Sequence, residues 1–169
     1  MTKTEMKAFI RESRREIRVD TTSDYTTCIS DGAGTMMIIT HDQQLPKKLE
    51  DLGARIIGND LENKILGSTA RKLLDDRDYV QCGPIRVKVE RNGDRRTMIL
   101  PQDDYGHYSL PVCVASGKLE ISNSQIINAA GPSKPIIVNG SDYWLAIFPI
   151  RVNRDDDWCK ELSHIAWRL

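Results

Sequence analysis

The residues with the clearest catalytic potential are His41 and Asp42, which follow the apolar run at Met36–Ile39. This order predicts a strand that ends in His-Asp before a helix, and open α/β sheets usually bind ligands at that end of a strand. With acids brought in by the fold, the pair could serve a small hydrolase or nuclease acting on a phosphorylated substrate. The alternative is a helix-entry loop in which Asp42 accepts a capping hydrogen bond and His41 lies at the surface.

Two families resemble this stretch locally. The segment "ITHDQ" resembles the switch-histidine segment of ATP-binding-cassette ATPases, but the phosphate loop G-x-x-x-x-G-K-[ST] that such an enzyme needs is absent from the chain. Residues 35–57 resemble the closing β-α-β unit of PIN-type nucleases, where an aspartate after the strand helps to hold metal. The segment upstream is too short to supply the other acids of that family, so no residue role is transferred.

A basic stripe on the predicted first helix is the most ordered charge feature. Thr2-Lys3-Thr4-Glu5 is a capping box, and the pattern predicts a helix from Lys3 to Arg18. At about 100° per residue, five cations share one side of that helix: Lys7, Arg11, Arg14, Arg15 and Arg18. The stripe could contact the phosphates of a nucleic acid or an acidic protein. The alternative is a helix face that is only exposed to water, with nearby glutamates offsetting part of its positive charge.

A third candidate lies around Gly67, which predicts a break between the helices "DLENKIL" and "ARKLLDD". A second helix starting there would offer free backbone amides and nearby cations to an anion. The anion-binding candidates are Ser68, Thr69, Arg71 and Lys72. The alternative is an ordinary serine cap.

Neither a metal site nor a cofactor is predicted. The four cysteines are widely spaced without a C-x-x-C pair, so free buried thiols are expected: Cys28, Cys82, Cys113 and Cys159. The carboxylates at Asp75-Asp76, Asp103-Asp104 and Asp155–Asp157 are expected at a helix end, a turn and a helix cap. The first two pairs could instead bind a divalent ion beside a phosphate.

The elements that position these residues change along the chain. The first half predicts a mixture of helices and strands, with a hairpin of "YTTCIS" and "TMMIIT", a helix "LPKKLEDLG" and a strand "ARII". In the second half, Asn92-Gly93 and Asn139-Gly140 predict two further hairpins. "LPVCVAS" and "KLEIS" predict two more strands, and an amphipathic helix is expected from Asp155 onwards.

Length and charge limit the interpretation. The 169 residues fit a single domain over 1–169. Lys plus Arg and Asp plus Glu both number 24, so no overall field attracts nucleic acid or an anionic membrane. Low net charge mildly favours self-association. A signal peptide and a membrane span are not expected, which predicts a soluble, cytoplasmic protein.

The sequence therefore predicts an α+β domain with a mainly antiparallel sheet of about five to seven strands and N- and C-terminal helices packed on it. The expected function is a non-enzymatic binding or self-assembly module. It would form a homo-oligomer and contact nucleic acid or an acidic protein through the first helix. The alternative function is the hydrolase or nuclease at His41 and Asp42.

Overall fold

A computed structural model of the protein describes residues 1–82, 86–100 and 111–151. Within these residues the chain forms four helices and eleven strands. The helices are α1 (Lys3–Glu12), α2 (Leu45–Asp51), α3 (Asp60–Asp75) and α4 (Ser116–Leu119). The strands are β1 (Glu16–Thr21), β2 (Thr27–Asp31), β3 (Met36–Thr40), β4 (Arg55–Ile56), β5 (Val80–Gln81), β6 (Arg86–Arg91), β7 (Asp94–Ile99), β8 (Val112–Ala115), β9 (Ile127–Ala129), β10 (Ile136–Asn139) and β11 (Tyr143–Ile147).

The strands of the described residues form two sheets. The larger has eight strands in the order β4-β1-β2-β3-β11-β10-β9-β5, and the smaller contains β6-β7-β8. Every pairing is antiparallel except that between β1 and β4. A mainly antiparallel α+β fold is thus confirmed. The expectation of one sheet of five to seven strands is wrong, because the hairpin β6-β7 pairs with β8 apart from the main sheet.

The central strands of the large sheet are buried on both faces. Successive strand residues point to opposite faces. On one face Ile38 belongs to a core cluster with Phe9 of α1 and Leu49 of α2. On the other face Ile39 belongs to a second cluster with Ala70 of α3. Helices therefore cover both faces, which agrees with the unbroken apolar sequences of β3 and β11.

The first helix is shorter than predicted. Its capping box forms as expected between Thr2 and Glu5, but α1 ends at Glu12, and β1 begins at Glu16. The prediction of a helix to Arg18 is therefore wrong. From Glu16 onwards the sequence alternates polar and apolar residues, which suits a half-buried strand. Pairing of this segment with β2 satisfies its backbone and buries Ile17.

The predicted break at Gly67 is also wrong, because α3 continues through this residue. A capping box of Asn59 and Glu62 starts the helix. The backbone N–H of Gly67 donates to the carboxylate of Asp20 at 3.1 Å. A Cβ at position 67 would lie 2.5 Å from Asp20 Oδ2 and 2.7 Å from Thr22 Cγ2. The glycine thus marks a close approach of helix to strand.

The predicted hairpins form, but Asn139 is part of β10 and the turn to β11 lies at residues 140–142. "KLEIS" does not become a strand. Asn92 and Gly93 have φ of 51° and 79° between β6 and β7, as a two-residue hairpin turn requires. Residues 116–119 instead form the short helix α4. Ser116 is buried there, and its hydroxyl lies 2.8 Å from that of Thr97 on β7. The contact links the first residue of α4 to β7.

Some predictions concern residues outside the described ranges. They are the C-terminal helix from Asp155 with the run Asp155–Asp157, the pair Asp103-Asp104, and Cys159. Within the described part of the chain, every helix is too short or too polar to cross a membrane.

We expect Gly67→Ala to lower the free energy of unfolding by about 1–2 kcal/mol, because the new methyl group overpacks the contact with Asp20 and Thr22. In an ordinary helix interior the same change is stabilising by about 1 kcal/mol. Urea unfolding measures the difference. The control is Ser68→Ala, at an exposed neighbouring position of α3, which should be neutral or slightly stabilising. A more stable Gly67→Ala protein would contradict the close approach.

Candidate functional site

His41 and Asp42 lie where β3 leads into α2. The Asp42 carboxylate accepts hydrogen bonds from the backbone N–H of Gln44 and from Lys48 Nζ, both at 2.9 Å. The bond from Lys48 is the main cause that lowers the pKa of Asp42. His41 is exposed and meets the ring of Trp144 edge-on, with ring centroids 6.0 Å apart. The loop position and the exposed His41 agree with the helix-entry alternative, but Asp42 does not cap the helix: the N-cap of α2 is Gln44, without a side-chain cap hydrogen bond.

Metal-binding and thiol chemistry find little support in the described residues. In residues 1–82, 86–100 and 111–151, histidine, cysteine and carboxylate side chains form no cluster that could hold a metal ion. Cys28 and Cys82 are buried free thiols, and Cys113 is buried. Burial, followed by the charges of Asp20 and Asp24, raises the pKa of Cys28 to about 12. Burial also raises the pKa of Cys82. Neither thiol is set up as a nucleophile.

The predicted anion site at residues 68–72 rests on a helix start that does not exist. Ser68 and Thr69 lie in the middle of α3, and the Thr69 hydroxyl donates to the carbonyl of Ile65 at 2.9 Å. The N–H groups of Ser68 and Thr69 therefore lie inside a continuous helix and are not the free amides of a helix start. The prediction that a helix begins after Gly67, on which this anion site depended, is therefore wrong.

Ser68, Arg71 and Lys72 nevertheless line a groove of about 780 Å³ between α3 and the end of β1, whereas Thr69 does not. We call this the acid–base groove. Its charged residues are three cations and three carboxylates: Lys64, Arg71, Lys72, Asp20, Asp75 and Asp76. Asp76 is held by Lys134 at 2.7 Å, which lowers its pKa. The balanced charges give this groove no clear preference for an anion.

Four of the five cations predicted as a stripe meet at one concave surface of about 490 Å³. We call it the basic cavity, and it is lined by Lys7, Ile10, Arg11, Arg14, Arg15 and Leu52. Arg18 lies elsewhere, because it is on β1 and its guanidinium donates to Glu62 at 2.5 Å. The prediction of a continuous helix face is wrong, but the structure brings Lys7, Arg11, Arg14 and Arg15 together.

The turn after α1 gathers these cations. Ser13 is the C-cap, and the N–H groups of Arg14 and Arg15 donate to the carbonyls of Arg11 and Ile10 at 3.1 and 2.9 Å. This is the Schellman arrangement that ends many helices, usually with glycine in the left-handed conformation. Here Arg14 has a φ of 53° and Arg15 a φ of 64°. The tight turn returns both arginines towards Lys7 and Arg11 on the helix.

Within the described ranges, little negative charge compensates the cations of the basic cavity. Arg11 contacts Glu12 at 3.5 Å, with the arginine side chain 68% exposed. Among the described residues, no carboxylate forms an ion pair with Lys7, Arg14 or Arg15. All four cationic residues are exposed. Such a cluster repels itself and attracts an anion.

Ile10 and Leu52 are the parts of the basic cavity that sequence reasoning missed. Ile10 is buried and also lines the cavity. Leu52 follows α2, and the packing of α1 against α2 brings it beside the cations. The 3.6-residue period identifies the apolar face of each helix but not which helices pack together.

No protein-family model matches the chain, and no significant similarity to a curated protein or a solved structure was found. The geometry of the site is therefore the basis for a functional proposal.

The strain at the turn predicts opposite effects for one substitution at two positions. Arg14→Gly should raise the free energy of unfolding by about 1 kcal/mol, because glycine adopts positive φ without the penalty that other residues incur. Arg11→Gly removes the same side chain from the helix and should lower the free energy of unfolding by up to about 1 kcal/mol. Urea unfolding of both variants measures the difference. A loss of stability in Arg14→Gly as large as that in Arg11→Gly would contradict the left-handed turn.

The buried thiols predict slow alkylation. In the native protein at pH 8, iodoacetamide should leave Cys28 and Cys82 unmodified, because burial keeps both protonated and inaccessible. After unfolding in urea both should react. Peptide mass spectrometry gives the extent of modification at each position. Equal rates in native and unfolded protein would show that these thiols are exposed.

Proposed function

We propose that the protein is a non-enzymatic binding module that holds an anionic partner in the basic cavity. The observation that supports this proposal most directly is the convergence of Lys7, Arg11, Arg14 and Arg15 on one cavity, where the described part of the chain supplies little compensating negative charge. Bringing like charges together destabilises the folded protein unless something neutralises them. A bound anion would supply that neutralisation.

Backbone strain supports a role for the arginine side chains beyond folding. A left-handed conformation costs a residue other than glycine roughly 1–2 kcal/mol. Arg14 and Arg15 both adopt it in consecutive positions. Glycine would form the same turn at lower energy, so folding alone does not favour arginine there. Strained residues of this kind concentrate at functional sites.

An acidic protein fits the basic cavity better than a nucleic acid. Among the residues that the structure describes, its lining contains no aromatic side chain that could stack on a base. Glu50 and Asp51, both exposed, immediately precede Leu52 of the cavity, and Glu12 lies beside Arg11. Lys47 offsets Asp51 at 3.1 Å and Arg11 offsets Glu12 at 3.5 Å, so the repulsion of a long polyanion that extends past the cavity comes mainly from Glu50. A partner with a short acidic segment avoids that repulsion.

Other parts of the proposal rest on sequence alone. The balance of 24 cationic and 24 anionic residues favours self-association mildly, and we propose a homo-oligomer on that ground. A single domain over residues 1–169, a C-terminal helix packed on the sheet and a cytoplasmic location are proposals of the same kind.

The alternative enzyme at His41 and Asp42 gains no support from the geometry. Neither residue lines the basic cavity or the acid–base groove. Asp42 is bound by Lys48 and Gln44, so its oxygens already have partners. A general base or metal ligand needs an oxygen aimed at the substrate.

Binding of a fluorescent hexaglutamate peptide tests the proposal. Replacing Arg11, Arg14 and Arg15 together by glutamine should weaken binding about tenfold or more, because each lost contact is worth up to about 1 kcal/mol. The control replaces Lys47, Arg55 and Arg77 by glutamine, which changes the net charge equally at exposed positions outside the cavity. Fluorescence anisotropy at two salt concentrations gives both affinities.

Equal losses in the two triple variants would contradict the basic cavity as the binding surface. Stronger and salt-sensitive binding of a 12-base-pair DNA duplex, reduced by the same cavity substitutions, would replace the acidic protein by nucleic acid as the partner.

A further inference from the structure

The charge and residue types of the basic cavity specify the anion more closely than acidity alone. Its four cations include three arginines. A single carboxylate carries one negative charge and two oxygens, so it would leave most of this cluster unpaired. A phosphate monoester carries about −1.5 to −2 charges at pH 7 and three strong acceptor oxygens. Arginine forks bind such oxygens in pairs, with a geometry that lysine does not offer.

Backbone hydrogen bonds hold the main chain of Arg14 and Arg15 from both sides. Hydrogen bonds to Arg11 and Ile10 hold their N–H groups, and the carbonyl of Arg15 accepts from the N–H of Arg55 on β4 at 2.7 Å. The turn therefore joins a helix to a sheet edge and has little freedom to rearrange. Less ordering is then required when a ligand binds. Lys7 and Arg11, one helical turn apart, complete the cluster from α1.

The floor of the basic cavity is partly apolar. Ile10 is buried beneath the four charges and Leu52 is half-buried beside them. The exposed part of Leu52 can contact the carbon atoms that carry a phosphate.

The exposure of the cavity favours a phosphate attached to a macromolecule. Sites for free small molecules usually enclose most of the ligand surface. Here Lys7, Arg11, Arg14 and Arg15 are all exposed, and the surface would cover only one side of a ligand. A phosphate on a protein side chain can be held in this way, because the rest of the partner contributes further contacts.

We infer that the basic cavity binds a phosphate monoester on a phosphorylated serine or threonine of a partner protein. This inference rests on the proposed function, which it narrows from acidic segments to phosphorylated ones. The phosphate would lie among the guanidinium groups of Arg11, Arg14 and Arg15, with the Lys7 ammonium as a further donor. Phosphorylation of the partner would then control its association with this protein.

Three peptides that differ at one central position test the inference by isothermal titration calorimetry with the full chain. The position holds phosphoserine, glutamate or serine, and neutral residues flank it. We expect the phosphoserine peptide to bind at least about tenfold more tightly than the glutamate peptide, since several charge-assisted hydrogen bonds replace one carboxylate contact. The serine peptide should not bind measurably.

Arg14→Lys separates fork geometry from charge. The variant keeps the positive charge but loses the fork, so affinity for the phosphoserine peptide should fall more than affinity for the glutamate peptide, and most of the tenfold preference should disappear. Arg18→Lys is the matched control, because Arg18 lies outside the basic cavity and should leave the preference unchanged.

The outcomes distinguish this inference from the proposed function. Equal affinity for the phosphoserine and glutamate peptides would overturn the inference and leave an acidic partner in place. Failure of both peptides and of hexaglutamate to bind would overturn both. Inorganic phosphate that binds as tightly as the phosphopeptide would show that the partner protein contributes nothing. Tighter binding to phosphatidylserine vesicles or duplex DNA would assign the basic cavity to a different macromolecule.

Discussion

The reversal of the chain between α1 and β1 is the constraint on which the candidate site depends. Ser13 is the C-cap of α1, Arg14 and Arg15 adopt the left-handed conformation, and β1 begins with the next residue, Glu16. The same turn allows α1 to cover one face of the sheet while its continuation becomes a strand of that sheet. It also places Arg15 where its carbonyl anchors β4. Fold and site thus share one strained element, and changes to it affect both.

The sheet provides the rigid base for that turn. Residues of β2 and β3 alternate between two core clusters, one closed by α1 and α2 and the other by α3. On the second face, Gly67 lets α3 approach β1 so closely that Asp20 accepts a helix amide. With β1 held by β2 on one side, β4 on the other and α3 above, its first residues have little freedom to move. Arg14 and Arg15 immediately precede β1 and are held in place with it.

Local sequence signals predicted much of the fold. The Asn92-Gly93 hairpin, the capping box at Thr2 and the proline-started helix α2 all form, because each depends on neighbouring residues only. The end of α1 was missed since arginine occupies the left-handed position where glycine is the usual signal. At Gly67 the sequence wrongly predicted a helix end, although α3 continues through this residue. Its role comes from a strand 47 residues away, which no local pattern reveals.

The sequence identified the cationic residues of the basic cavity but not their concave arrangement. Cationic residues at positions 7, 11, 14 and 15 were identified from their spacing, although the spacing assumed a helix that ends earlier. The concave form depends on the reversal and on Leu52, which packing of α2 supplies.

The central claim is that Arg14 and Arg15 lower stability and serve a phosphate ligand. Its most direct test is the free energy of unfolding of wild type and Arg14→Gly/Arg15→Gly across a series of phosphate concentrations. A bound ligand stabilises by RT ln(1 + [L]/Kd). We expect the double variant to be more stable without phosphate and to gain only the non-specific stabilisation that phosphate gives folded proteins, whereas wild type should gain more as phosphate rises. An equal gain in both proteins would contradict it.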